Sequence, residues 1–296
     1  MGTISKHIGT HENQVRFSPD YNAIMWISTK GVSQKDEKII VDIIHEKLKK
    51  KLIFIGHCFG RYDLIAEFKD SSARVASNIV CELQEELAKK LRTRLMRTRP
   101  KIVDPICSSL TLGNKMILPR MRKRTRMNYS LRTYTFLRPK KSTVNLKEIM
   151  LKIEPIMELF WTTSSYAFLL TAKGSNFSEI FRKILDFRSK TKRCFRESCT
   201  YVGLDFKMND KKISRPIRAL TFLKMSKGFG EFRLKKNEDD NWNTPEKRFG
   251  WSDICLAPKN KYSLRELKDA IMKLREDHKG DLITTSTLLL PNGGEK

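Results

Sequence analysis

The sequence predicts an α+β protein made of three tandem ferredoxin-like modules, each a βαββαβ sandwich with an antiparallel sheet. The first observation is that three similar apolar strands open three successive stretches: YNAIMWISTKG at 21–31, LRTYTFLRPKK at 131–141 and IRALTFLKMSK at 217–227. The second is that further strand and helix patterns follow each of them in the same order and at nearly the same spacing. Such regularity is typical of copies of one supersecondary unit.

The first module, residues 21–118, shows the full order of elements. After its opening strand, DEKIIVDIIHEKLKKK places isoleucines at helical spacing opposite a charged face. LIFIGHCF and YDLIAEFKD then predict a hairpin around a tight turn at Gly60, and SSARVASNIVCELQEELAKKL predicts a second helix. A strand at 105–113 closes the module.

The second module, residues 131–210, repeats this order with helices over NLKEIMLKIEP and FSEIFRKILDFRSKT. The third module, residues 214–292, is degenerate, because GFGEFRLKKNEDDNWNTPEKRF contains Gly, Pro, Asn and three consecutive acids where the first helix should stand. We expect a loop there. The second helix of this module is predicted to begin with a capping box of Ser263 and Glu266.

The charge balance favours an anionic partner. The chain has 59 Lys and Arg against 33 Asp and Glu, a net charge of +26. DNA or RNA is the partner favoured over an anionic membrane surface, and it is also modestly favoured over a merely solubilising charged surface or a generally basic set of proteins in the organism. A basic linker at 119–130 holds the candidate nucleic-acid contacts, which would bind phosphates with little sequence preference. These contacts are Arg120, Arg122, Lys123, Arg124 and Arg126. A solvated linker, or a strap against an acidic patch, accounts for the same residues.

Catalytic and metal-binding patterns are missing from the sequence. The six cysteines show no CxxC spacing, and the five histidines form no metal-ligand pattern apart from His7 and His11 near the N-terminus. No apolar run approaches the roughly 20 residues that cross a bilayer. We therefore expect a cytoplasmic protein without enzymatic activity, metal or cofactor, and with free thiols.

Two modules carry a turn motif that resembles a known family. The first module has Gly60-Arg61-Tyr62-Asp63 with Ser108-Ser109-Leu110-Thr111 in its last strand, and the third has Gly250-Trp251-Ser252-Asp253 with Thr285-Ser286-Thr287. Of this motif the second module keeps Tyr166. The βαββαβ order together with these residues resembles the ligand-binding module of the Lrp/AsnC regulators, the regulation-of-amino-acid-metabolism (RAM) domain. The usual helix-turn-helix domain has no room before the first strand.

The resemblance implies a sensor whose modules pair through their sheets and bind amino acids or related effectors at module interfaces. The ligand-binding candidates it implies are Gly60, Tyr62, Asp63, Gly250 and Asp253. Stabilisation of a tight turn explains the glycines and aspartates as well. We expect an Lrp/AsnC-like transcriptional regulator or adaptor that binds a small metabolite such as an amino acid. The alternative is a constitutive RNA- or ribosome-associated basic protein that uses the same fold as a nucleic-acid platform. Because three modules pair unevenly, we also expect a homodimer.

Overall fold

A computed structural model describes most of the chain. The described residues are 15–29, 32, 34–95, 106–117, 129–140, 144–162, 166–206, 218–225, 232, 234–235, 238, 241–247, 252, 254–259, 262–278 and 282–290. Eight strands close into a barrel, and four more form a separate sheet. None of the helices in this part of the chain is long and apolar enough to cross a membrane.

The first unit consists of β1 (Arg16–Thr29), α1 (Gln34–Leu48), a 3-10 turn at Lys49–Lys51, β2 (Leu52–Phe59), β3 (Leu64–Asp70), α2 (Ala73–Leu95) and β4 (Ile106–Ile117). The predicted helices of this module are confirmed. Both pack their apolar stripes on one face of the sheet, where Ile40 and Ile44 of α1 and Leu83 and Leu87 of α2 are fully buried. Burial of this kind stabilises by roughly 1.5–3 kcal/mol per side chain.

The second unit consists of β5 (Leu131–Pro139), α3 (Leu146–Leu151), β6 (Met157–Thr162), β7 (Phe168–Gly174), α4 (Phe177–Lys190) and β8 (Phe195–Asp205). Asparagine caps begin both helices. The Asn145 side chain accepts a hydrogen bond from the Glu148 amide, and the Asn176 side chain accepts from the amides of Ser178 and Glu179. Each cap satisfies amides that the first helical turn leaves without a partner.

The two sheets join, so the predicted fold class of separate ferredoxin-like sandwiches is wrong. The barrel order is β1-β3-β2-β8-β5-β7-β6-β4. Antiparallel pairing of β2 with β8 runs from Gly56↔Asp205 to Phe59↔Val202, and β4 pairs with β6 from Gly113↔Thr162 to Lys115↔Phe160. The physical reason is that each four-stranded sheet leaves two edges with unpaired backbone groups, and closure satisfies the edges of both sheets at once.

Side chains fill the lumen of this barrel in layers. One end, which we call the ionic end, holds Asn22, Glu67, Lys115, Arg132, Glu158 and Lys173. The opposite end, which we call the aromatic end, holds Trp26, Tyr62, Phe136, Tyr166 and Tyr201. Between them lie apolar side chains such as Ile24, Ile65 and Phe160. The described part of the lumen is therefore a packed core.

The third unit consists of β9 (Arg218–Met225), β10 (Glu246–Lys247), β11 (Ile254–Leu256), α5 (Leu264–Asp277) and β12 (Leu282–Leu290), with the strand order β10-β11-β9-β12. The described residues between β9 and β11 form β10 and no helix. The predicted capping box of Ser263 and Glu266 is confirmed at the start of α5. The domain limits drawn from the sequence stay predictions.

Candidate binding site at the aromatic end of the barrel

The turn between β2 and β3 holds three of the predicted ligand-binding residues, Gly60, Tyr62 and Asp63. It lies at the aromatic end of the barrel and faces α5 and β12 of the third unit. The other two predicted ligand-binding residues, Gly250 and Asp253, lie outside the described residues. So do the five candidate nucleic-acid contacts, Arg120, Arg122, Lys123, Arg124 and Arg126.

Gly60 has two structural reasons to be glycine. Its φ is +141°, a conformation that residues with a side chain rarely adopt. In addition, a Cβ atom at this position would collide with the ring of Tyr201. The Gly60 carbonyl accepts a hydrogen bond from the Thr287 amide of β12 at 3.3 Å. Gly60 therefore lets the Tyr201 ring lie directly on the turn, and it also joins the turn to the third unit.

Asp63 is bonded to the protein through both carboxylate oxygens. Arg275 of α5 donates from Nη1 to Asp63 Oδ1 at 2.7 Å. The amide of Thr29 donates to Oδ2 at 2.6 Å, and the Thr29 hydroxyl donates to the same oxygen at 3.1 Å. Arg275 also donates from Nη2 to the Thr29 carbonyl at 2.7 Å. The carboxylate thus links the two units across their interface.

Aromatic rings cluster beside this turn. The Trp26 ring lies 5.4 Å from that of Tyr62 and 5.1 Å from that of Tyr201, measured between centroids, and the Tyr62 and Tyr201 rings are 5.8 Å apart. Phe136 continues the cluster toward Tyr166, at 5.6 Å. Trp26 is buried, whereas the three tyrosines are half-buried. Each of these three tyrosines therefore keeps part of its surface exposed to solvent.

Basic residues lie at the aromatic end and on the chain segments next to it. The guanidinium of Arg138 lies over the Tyr166 ring, 4.9 Å from its centroid, which is a cation–π geometry. Two residues further along, the amide of Lys140 donates to the carbonyl of Cys194 at 2.8 Å, and this bond brings the end of β5 to the turn before β8. Lys140, Lys192 and Arg193 are exposed there, and Arg61 is exposed on the β2–β3 turn.

A small cavity of about 40 Å³ lies between the barrel and the third unit. Its lining includes Glu37, His57, Tyr62, Lys268, Arg275 and Thr287. A volume of this size holds a few water molecules and is far below the roughly 300–1,000 Å³ of small-molecule sites. The cavity is therefore an unsuitable place for an amino acid in this conformation.

Burial shifts the pKa values of Glu37 and His57, two side chains that line the cavity. Burial raises the pKa of Glu37 to about 7, although the nearby cations Lys268 and Arg275 oppose this shift. Burial, together with Lys268, Arg265 and Arg275, holds the pKa of His57 well below its usual value. The Glu37 Oε2 atom lies 3.6 Å from His57 Nδ1 and 3.8 Å from Lys268 Nζ, and no described group hydrogen-bonds to it. At neutral pH, His57 is uncharged and Glu37 titrates.

The ionic end of the barrel is a network of internal pairs. Glu67 accepts hydrogen bonds from Arg132 at 2.5 Å, Asn22 at 2.7 Å and Tyr134 at 2.9 Å. Burial acts to raise the pKa of Glu158, but the cations Arg132, Lys173 and Lys115 outweigh it and hold that pKa well below the usual range. Because the described side chains of this end are bonded to one another, the network stabilises the barrel.

Comparison with known proteins identifies no family for the chain. No family model matches its sequence, and no curated protein matches it. Among solved structures, a mutant chlorite dismutase from Candidatus Nitrospira defluvii covers 64% of this chain and 91% of its own, with 10% identity and a TM-score of 0.42. A second structure, named as a candidate chlorite dismutase, covers 64% of this chain and 95% of its own, with 11% identity and a TM-score of 0.39.

The closed barrel overturns the resemblance to Lrp/AsnC regulators. The chain forms this barrel in place of separate RAM-type sandwiches. The expected identity as an Lrp/AsnC-like transcriptional regulator that senses amino acids is therefore wrong. The similarity is too low to support a statement about the activity of this chain. The amino-acid effector stays a prediction, and its main support has been removed.

Sequence reasoning missed most of the aromatic end. Trp26, Phe136, Tyr201, Arg138 and Arg275 come from three strands and a helix that are distant along the chain. Tyr134 and Phe136 alternate in one strand, which indicates a shared face, but nothing in their spacing shows which rings lie opposite. The available signal was the recurrence of aromatic residues in the opening and closing strands.

Proposed function

We propose that this chain binds single-stranded nucleic acid at the aromatic end of its barrel and catalyses no reaction. The observation that carries the proposal is the group of half-buried rings of Tyr62, Tyr166 and Tyr201, with Arg138 stacked on Tyr166. Bases stack on such rings irrespective of sequence, because every base has a π-face. An arginine at the ring face adds a cation that suits phosphate or base contact.

The charge of the protein supports the same partner. Lys140, Lys192, Arg193 and Arg61 are exposed on chain segments next to the aromatic end, within a chain of net charge +26. Cations beside stacking rings are the usual combination in single-strand-binding grooves. Affinity for the phosphate backbone would fall as the salt concentration rises, since binding releases counterions.

We place the protein in the cytoplasm, because all six cysteines are free thiols.

The test is the affinity for a fluorescein-labelled oligouridylate and a matched oligodeoxythymidylate, measured by fluorescence anisotropy. Tyr166→Leu keeps apolar volume but removes the ring. Loss of one stacked base weakens binding by about 1–3 kcal/mol, so we expect the Kd to rise about 5- to 150-fold. The matched control is Tyr21→Leu, because Tyr21 is also half-buried on a barrel strand but lies near the ionic end.

The outcomes separate stacking from simple charge attraction. Stacking predicts tighter binding of single strands than of a duplex of equal length, and a loss of affinity in Tyr166→Leu alone. Equal affinity for duplex and single strand, with no difference between the two tyrosine variants, would show that the aromatic end is not the binding site.

The homo-oligomer expected from the odd number of modules stays a separate prediction, which light scattering of the purified protein would test.

A further inference from the structure

Arg275 connects the third unit to the turn that carries Tyr62. This side chain and that of Asp63 are only 8% and 6% exposed, although they belong to elements more than 200 residues apart in sequence. From α5, Arg275 donates to the Asp63 carboxylate and to the Thr29 carbonyl, both at 2.7 Å. One arginine thus contacts the end of β1 and the start of β3.

The backbone of Asp63 is held as firmly as its side chain. Its amide donates to the Ile27 carbonyl at 2.8 Å, and its carbonyl accepts from the Cys58 amide at 2.8 Å. Tyr62 precedes it directly, with its ring against Trp26 and Tyr201 and its hydroxyl 3.3 Å from Ser109 Oγ. The Asp63 backbone and the Tyr62 ring therefore belong to one hydrogen-bonded turn.

We propose that Arg275 is a positioning residue for the aromatic end, through which docking of the third unit holds Tyr62 in the geometry that stacks on a base. This inference rests on the proposed function. The third unit would then regulate the binding site without contacting the nucleic acid itself. Because coupling between two equilibria is reciprocal, a bound strand would in turn favour docking of the third unit.

The binding experiment is a double-mutant cycle that combines Arg275→Met with Tyr62→Leu. We expect Arg275→Met to raise the Kd for oligouridylate about 5-fold or more. A factor of about 5 is the lower end of the range in which one site usually changes the affinity of another. In the Tyr62→Leu background, the same substitution should have no further effect, because the ring that Arg275 positions is gone. Lys273→Met is the matched control, since it removes one positive charge from the exposed side of the same helix. Arg275→Lys, which keeps the charge but loses the two-pronged contact, should fall between wild type and Arg275→Met.

A second measurement needs no nucleic acid. Amide hydrogen exchange at Asp63 and Cys58 should be faster in Arg275→Met and Arg275→Lys than in Lys273→Met, because the two bonds of the turn open more often. Unchanged exchange at both amides in Arg275→Lys would overturn the inference even if Arg275→Met fails to fold.

The possible failures are distinguishable. Absence of binding by the wild-type protein would defeat the proposed function, and the inference that rests on it, whatever the exchange data show. Tyrosine-dependent binding by wild type, with equal affinities for Arg275→Met and Lys273→Met, would defeat this inference alone. Additive effects of Arg275→Met and Tyr62→Leu would also defeat it, since they would mean that Arg275 acts independently of the ring.

Discussion

We predict that Glu37 makes the stability of the protein sensitive to pH, and the substitution Glu37→Gln isolates this effect. Glutamine has almost the same shape as glutamic acid but does not ionise. The Glu37 side chain is only 3% exposed and faces the cavity between the barrel and α5. In the folded protein burial raises its pKa from 4.5 to about 7. The surrounding titratable and charged groups are His57 of β2, Asp63 of the turn, and Lys268, Asp269 and Arg275 of α5.

The magnitude follows from the difference between the two pKa values. The folded protein holds the Glu37 proton more tightly than the unfolded chain, so its contribution to stability is complete below about pH 4.5 and is lost as the pH rises through about 7. One pKa unit corresponds to about 1.4 kcal/mol, so the total loss is about 3 kcal/mol. His57 acts in the opposite direction, since its lowered pKa makes stability rise with pH up to about its usual value of 6.5.

The assay is urea unfolding followed by tryptophan fluorescence, at several pH values from about 5 to about 8. We compare wild type, Glu37→Gln and Glu46→Gln, because Glu46 is an exposed carboxylate of the same helix. His57 is present in all three proteins, so the difference between their curves reports Glu37. Between these pH values wild type should lose about 3 kcal/mol relative to Glu37→Gln. Parallel curves for wild type and Glu37→Gln would refute the reasoning, and so would an equal effect of Glu46→Gln.

Two further predictions concern the turn and the linker. Gly60→Ala should lower the free energy of unfolding by about 1–3 kcal/mol or more, because φ is +141° and the new Cβ would collide with Tyr201. A melting temperature equal to that of wild type would contradict this account. Replacing Arg122, Lys123 and Arg124 together with glutamine should flatten the slope of log affinity against log salt by about 2, if all three contact phosphates of a single strand. An unchanged slope would show that the linker does not bind the strand.

Local patterns in the sequence predicted the helices well. The isoleucines of α1 and the capping box of Ser263 and Glu266 are signals that act within a few residues, so neighbouring residues alone decide them. The loop in place of the first helix of the third module was also predicted from local sequence, since glycine, proline and consecutive acids disfavour a helix. By contrast, the same local signals cannot show which sheet edges meet, and for this reason the fold class was predicted wrongly.

The candidate site was predictable only in part. The turn Gly60–Asp63 stood out as a motif, and the structure shows why a glycine is needed there. The partner of Asp63 could not be predicted from the sequence. Arg275 lies on a helix 212 residues away, and no rule of residue spacing connects the two positions. The rings of Trp26 and Tyr201 meet for a similar reason, since they belong to strands of different units.

The sequence by itself determined the order of most helices and strands and the strongly positive charge, because propensity, period and composition are properties of neighbouring residues and of the whole chain. Only the tertiary structure decided that two sheets close into one barrel and that the third unit docks on it through Arg275. Closure depends on edge strands that satisfy one another across the chain, and the docked arrangement contains a buried charge pair whose desolvation cost is offset only by well-placed hydrogen bonds to both partners. Both conditions involve residues that only folding brings into contact.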